Sequence, residues 1–327
     1  MHSEPLESPG LQVFDLLKSG SLLHSVASRH SEVATLRLDT SAGRSLVAVK
    51  HLRLKGPSAQ QSIQNEFLTL QRLHRALGEP LCRTIPCPLL FLEGERTIIF
   101  SFVPGIRLDK LLRRDANAFT GRLNIIGSRR LERCGFQIGE WLKAFHDATR
   151  IEDQELDHSH FSIELDSLLA KCEPLGFSPS ALKTVREAAL SLSVKLSGSM
   201  LPAAGTHGDF LPQNVMLEDG RPGVVDFASF SPSGPVYIDV AHLVGYLGIL
   251  ARRPPYFRKT VEAVARQFLS GYARTLDRNI LRLYLVRAIL RITADGKREA
   301  HSGVGENTLD LLSSILDNNG LTGLLPE

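Results

Sequence analysis

Residues 206 to 227 read Thr206-His207-Gly208-Asp209-Phe210-Leu211-Pro212-Gln213-Asn214-Val215-Met216-Leu217, then a turn-forming run from Glu218 to Gly223, then Val224-Val225-Asp226-Phe227. Glycines and short β-like runs here interrupt a chain that otherwise has helical spacing on both sides. Before the interruption, Leu108 to Leu112, Arg130 to His146, Ile163 to Cys172 and Pro179 to Leu196 repeat apolar residues every three to four positions. Ser178 followed by Pro179 is a good N-cap and first-turn pair, which fixes one helix start. Further helices are predicted from Ile238 to the end, with Val240 to Ala251 so apolar that it reads as a buried core helix. That run includes His242 and is well short of the ~20 residues needed to cross a bilayer.

The N-terminal third has another rhythm. Glu32 to Leu38 and Leu46 to Leu54 are β-rich runs around the turn-forming residues 39–45, and predict a hairpin. Ser62 to Leu77 carries Ile63, Phe67, Leu70 and Leu73 on one helical stripe. Pro88 to Leu92 and Thr97 to Val103, parted by Glu93-Gly94-Glu95-Arg96, predict a second hairpin. The order is β-β-α-β-β up to Pro104-Gly105 and mostly helix thereafter. The expected fold class is therefore α+β, with a small antiparallel-sheet N-lobe over residues 1–103 and a larger, mostly helical C-lobe over residues 104–327.

Composition excludes more than it identifies. The 327 residues are 43% hydrophobic and 22% charged, ordinary globular material with room for two connected cores. A net charge of +3 is too small to imply a nucleic-acid partner without a concentrated basic patch. Cys82, Cys87, Cys134 and Cys172 are scattered, which argues against a structural zinc or a disulfide framework. Met1 to Gly10 holds acids and two prolines but no apolar run, so neither a secretory signal nor a transit peptide is expected, and a cytoplasmic location follows.

Asp209, Asn214 and Asp226 are an inventory suited to phosphoryl transfer. One carboxylate orients an acceptor hydroxyl and takes its proton, while an amide oxygen and a second carboxylate hold the Mg²⁺ that neutralises phosphate charge. Asn214 follows Asp209 by five positions and precedes Asp226 by twelve, so a short loop and hairpin can gather the three.

With His207, Gly208 and Val225-Asp226 added, the chain resembles the aminoglycoside phosphotransferase and choline kinase group of the protein-kinase-like fold. The resemblance implies an ATP- and Mg²⁺-dependent enzyme acting on a small-molecule hydroxyl. It also implies that Asp209 is the catalytic base, that Asn214 and Asp226 are the metal ligands, and that His207 supports the loop. Ile238-Asp239-Val240-Ala241 is similar to the family segment whose acid braces the catalytic loop, which assigns that support to Asp239. Val47-Ala48-Val49-Lys50 is similar to the kinase strand that carries the phosphate-binding cation, with Glu66 as its partner. Phe100 to Gly105 resembles the linker whose backbone edge pairs with adenine, making Ser101, Phe102 and Val103 the adenine-edge candidates; Phe102 reads equally well as core. No Gly-x-Gly-x-x-Gly precedes Lys50. The phosphate loop would be Ala27 to Ser31, a reading balanced by that of an ordinary loop.

Trp141, Phe145 and His146 lie on a helical stripe and read as packing groups. Two other classes of function compete: a scaffold of pseudokinase type, which the joint presence of Lys50, Glu66, Asp209, Asn214 and Asp226 disfavours, and a nucleic-acid binder, which lacks interleaved aromatics. A regulated protein kinase is disfavoured by Gly208, where such enzymes usually place arginine. Residues 252–298 carry twelve Lys or Arg against Glu262, Asp277 and Asp295, an excess that favours a neutral or anionic, sugar-like acceptor. On a helix, Arg278 and Arg282 lie ~40° apart, as do Arg287 and Arg291, with the pairs nearly opposite, so only one pair should face a substrate.

Overall fold

The computed structural model describes residues 20–27, 31–40, 43–53, 56–117, 125–295 and 304–317. The chain forms two compact units, one of residues 1–104 together with Val224–Ala228, the other of residues 105–223 and 229–327.

In the first unit five antiparallel strands stand in the order β1-β2-β3-β5-β4: β1 (Ser21–Ala27), β2 (Ser31–Thr40), β3 (Gly43–Leu52), β4 (Pro88–Leu92) and β5 (Thr97–Ser101). The helix α1 (Pro57–Ala76) follows β3. Side chains alternate across a strand, so Ala48, Lys50 and Leu52 share one face of β3 while Val47 and Val49 share the other. Ala48, Ile98 and Phe100 pack with Ile63 of α1, with Leu52 and Phe67 against them. Val47, Ile99 and Leu38 form a separate cluster on the opposite face. The face that α1 covers is the one that carries Lys50.

β1 is absent from the sequence reading because its side chains from Leu22 to Val26 are exposed and leave no buried alternation to detect. α1 begins at Pro57, five residues before the predicted start. Its first turn lacks the apolar stripe that begins at Ile63.

The second unit contains β6 (Ile106–Arg107), α2 (Leu108–Asp115), α3 (Ile125–Ala148), β7 (Gln154–Glu155), α4 (His158–Cys172), α5 (Pro179–Leu196), β8 (Met200–Leu201), β9 (Ala203–Thr206), β10 (Val215–Glu218), β12 (Ser231–Pro235), α6 (Tyr237–Leu250), α7 (Arg258–Tyr272), α8 (Arg278–Asp295) and α9 (Val304–Leu316); β11 (Arg221–Val224) pairs with β10. No described helix is long and apolar enough to cross a membrane. α5 starts at the predicted Ser178-Pro179 step, but the Ser178 hydroxyl makes no capping bond and meets Ser180 Oγ at 2.8 Å instead. β12 antiparallel to β9 and β10 antiparallel to β6 frame residues 207–214.

α3 lies along α7 at backbone contact. A β-carbon on Gly139 would stand 2.1 Å from the Phe268 carbonyl oxygen and 2.5 Å from the Tyr272 nitrogen. Glycine at that position lets the helices close, and Trp141 of α3 then stacks on Phe145 at 5.3 Å and on Phe210 at 6.0 Å. Phe210 is fully buried and also meets Phe268 of α7 at 6.5 Å between ring centroids. An aromatic layer thus anchors the residue directly after Asp209.

Gly139→Ala should lower stability by about 1 to 3 kcal/mol, the usual cost of overpacking a fitted contact. Gly94→Ala, where an added β-carbon meets nothing within 4 Å, should leave the melting temperature unchanged. Equal melting temperatures for both variants would show that the α3–α7 approach is not tight.

Candidate active site

Lys50 is buried on the α1-covered face of β3 and is completely ion-paired. Its Nζ donates to Glu66 Oε1 and Oε2 at 2.9 Å each and to Asp226 Oδ1 at 2.8 Å. Glu66 is carried by α1 between the core residues Ile63 and Phe67, so the packing that buries Ile63 presents the carboxylate to the strand. Burial alone would favour the neutral amine, but the charges of Glu66 and Asp226 outweigh it and raise the Lys50 pKa. For Glu66, burial pushes the carboxyl up against the pull of Lys50. With the ammonium bonded to both its oxygens, we take the pair as ionised. Asp226 stands at φ 68°, in the left-handed region, and its side chain is 46% exposed. Lys50 neutralises part of a carboxylate that still reaches solvent.

In the second unit the loop after β9 is held by one carboxylate. Asp239, buried in the first turn of α6, accepts from the His207 amide at 2.7 Å, the Gly208 amide at 2.8 Å and the ring nitrogen His146 Nε2 at 3.1 Å. The other ring nitrogen of His146 meets Tyr272 Oη at 2.9 Å. Burial on its own would raise the Asp239 pKa, but His146, the charge of His207 and the Gly208 amide bring it below the ordinary carboxylate value. Gly208 is required here: its φ is +77°, and a β-carbon would stand 2.2 Å from the Ser229 carbonyl oxygen. The loop therefore turns tightly and delivers Asp209 to its end. Asn214 Nδ2 donates to the Asp209 carbonyl at 2.9 Å and to Asp209 Oδ2 at 3.0 Å. That orientation commits the amide nitrogen and leaves Asn214 Oδ1 without a hydrogen bond among the described residues.

Asp209 lines a cavity of about 460 Å³ whose wall also holds Arg107, Asp109, Arg113, His242 and Arg291. Arg107 is bound to Asp109 through two 2.9 Å hydrogen bonds. The arginine pairs expected from helical spacing divide. Arg287 forms a two-point bond to Glu164 of α4 at 2.6 and 2.5 Å, and Arg282 donates to the carbonyls of Ile315 and Leu316. Arg291 alone of the four reaches the cavity, because a carboxylate on a neighbouring helix draws Arg287 away.

The family model described as the phosphotransferase enzyme family matches residues 26–283. The chain belongs to that family. No curated protein matches the sequence. The streptomycin–ATP ternary complex of APH(2")-IIa is 14% identical, with 99% of this chain and 100% of that one covered at a TM-score of 0.56. Choline kinase LicA from Streptococcus pneumoniae is 16% identical over 94% and 98%, with a TM-score of 0.57. A glucosamine kinase bound to glucosamine, ADP and inorganic phosphate is 16% identical over 93% and 96%, with a TM-score of 0.58. At these identities the likeness is one of fold, and the fold is protein-kinase-like.

Within this phosphotransferase the structure brings together Lys50, Glu66 and Asp226, and separately His207, Asp209, Asn214 and Asp239. Of the adenine-edge candidates, the Ser101 amide donates to the Cys87 carbonyl at 2.9 Å and the Phe102 amide to the Leu46 carbonyl at 3.3 Å. Val103 makes no such bond among the described residues. Residues 28–30 of the proposed phosphate loop lie outside the described residues. His146 is the residue that sequence reasoning misjudged, since it bonds Asp239 as well as packing.

Because the folded chain holds the Asp239 proton less tightly than an unfolded one, its carboxylate adds stability above the ordinary carboxylate pKa of ~3.9. That contribution is lost as pH falls through this range and below it. Asp239→Asn should cost about 3 kcal/mol or more near neutral pH, with the gap from wild type closing below pH ~4. Urea unfolding over a pH series measures this, and a gap independent of pH would mean that Asp239 is not an ionised brace.

Proposed function

We propose that this chain is an ATP- and Mg²⁺-dependent kinase that transfers the γ-phosphate to a hydroxyl of a small, sugar-like molecule, neutral or anionic. The observation that carries this reading is Asp209, a carboxylate fixed by Asn214 at the wall of a cavity large enough for such an acceptor. The family assignment supports phosphate transfer. Choline and glucosamine, the molecules in the names of the structural relatives, are small and bear hydroxyls.

In this reading residues 1–103 bind the nucleotide and residues 104–327 supply the catalytic loop and acceptor site. Val103 offers its amide to the adenine edge, with Ser101 and Phe102 contributing through their carbonyls. Lys50, positioned by Glu66, meets the phosphates as a fixed ammonium. Asn214 Oδ1 and the Asp226 carboxylate are hard oxygen donors, and one or two such side chains with several waters suit Mg²⁺. When bound, Mg²⁺ neutralises charge on the β- and γ-phosphates. Asp209 takes the proton from the acceptor hydroxyl as its oxygen bonds to the γ-phosphorus and the bond to the β-phosphate oxygen breaks, releasing ADP. His207 and Asp239 hold the loop without touching the reacting atoms.

Asp209→Asn should lower turnover by ~10² to 10⁴, the contribution of a positioned base, while nucleotide affinity stays near wild type; unchanged turnover would remove Asp209 from this role. Asp226→Ala should abolish the Mg²⁺-dependent part of nucleotide binding in calorimetry. Wild-type Mg-ATP affinity in that variant would make Asp226 structural only.

A further inference from the structure

The wall of the Asp209 cavity is rich in uncommitted N–H donors and poor in uncommitted carboxylate oxygens. Both oxygens of Asp109 are taken by Arg107. Asp295 lies 3.8 Å from Arg291 Nε, beyond hydrogen-bond length, with its side chain 71% exposed, where an ion pair is worth little. Among the described residues Arg113 has no carboxylate partner within 4.0 Å, and neither Arg113 nor Arg291 donates a hydrogen bond. Asp209, the remaining carboxylate of the wall, is bonded by Asn214 Nδ2, and its proposed role is to face the reacting hydroxyl.

A second feature of the same wall points to a ligand. His242 of α6 is 1% exposed, lines the cavity, and its Nδ1 has no hydrogen-bond partner among the described residues. Leaving a buried polar group unpaired costs about 1 to 3 kcal/mol, so an unpartnered imidazole in a cavity wall suits an incoming polar group. Burial, helped by the charges of Arg291 and Arg287, lowers the His242 pKa to about 3 against the opposing pull of Asp239. His242 therefore adds a polar ring and no charge.

We propose that the acceptor carries an anionic group, a phosphate or a carboxylate, beside its reacting hydroxyl, and that Arg113 and Arg291 bind that group while His242 lines the sugar-like body. The location of the acceptor rests on the kinase reading. The charge preference rests on the wall. Guanidinium groups bind both anions through paired N–H bonds, whereas an ammonium-bearing acceptor would have to pass two arginines with N–H groups to spare.

The test is calorimetric binding of four matched probes to the full chain: glucose 6-phosphate, glucuronate, glucose and glucosamine. At least one anionic probe should bind about tenfold or more tighter than glucose, and glucosamine should bind no better than glucose. Arg113→Glu and Arg291→Glu should each weaken the anionic probe by about ten- to a hundredfold, with melting temperatures confirming that the variants are folded. The better of the two anionic probes tells phosphate from carboxylate. Glucose or glucosamine binding as tightly as both anions, unchanged affinity in both variants, or no saturable binding of either anion would overturn the proposal. Anion-selective binding without product from Mg-ATP would keep this inference and sink the kinase reading. Phosphorylation of glucosamine in preference to the anionic sugars would do the reverse.

Discussion

The loop that presents Asp209 depends on a single buried carboxylate. Asp239 has no exposure to solvent, and its lone pairs are matched by two successive backbone amides and a ring nitrogen. Because His207 and Gly208 are bonded to the same group, the chain is fixed in the residues immediately before Asp209. The α3–α7 contact serves the same end from another direction. It sets Tyr272 against His146, and the aromatic rings around Phe210 hold the residue immediately after Asp209. Asp209 is thus held on both sides by buried groups.

Lys50 follows a comparable logic in the other unit. An ammonium buried without partners would lose its proton, and two carboxylates prevent that. The alternation of β3 decides which residue is buried, and the apolar stripe of α1 decides which acid it meets. Neither decision needs a residue outside ordinary strand and helix patterning. The pairing of Lys50 with Glu66 was expected from the resemblance of Val47–Lys50 to the kinase strand, and the plain periodicity of the neighbouring core residues is what brings the two together.

What escaped the sequence has physical reasons too. β1 pairs through its backbone and exposes its side chains, so it carries no buried alternation. His146 sits on a stripe with Trp141 and Phe145, and nothing local separates a packed imidazole from one that braces an acid 93 positions away. The arginines of α8 were visible as a charge excess, but their partners belong to other elements: Glu164 of α4 for Arg287, two terminal carbonyls of α9 for Arg282. Spacing on one helix gave their directions without their destinations. The loop from Thr206 to Asn214 was the easiest part to read, because its glycine, acid and amide are each required by a local turn or bond.

The grip of Arg282 on Ile315 and Leu316 also bears on how far the chain tolerates shortening. The last carbonyls of a helix have no partners of their own, and here a guanidinium from the middle of the core supplies them. Leu311, Leu312 and Ile315 are buried alongside. Trimming back through α9 would strand a positive charge inside the core of the second unit. The helix is a plug in that core rather than an appendage to it.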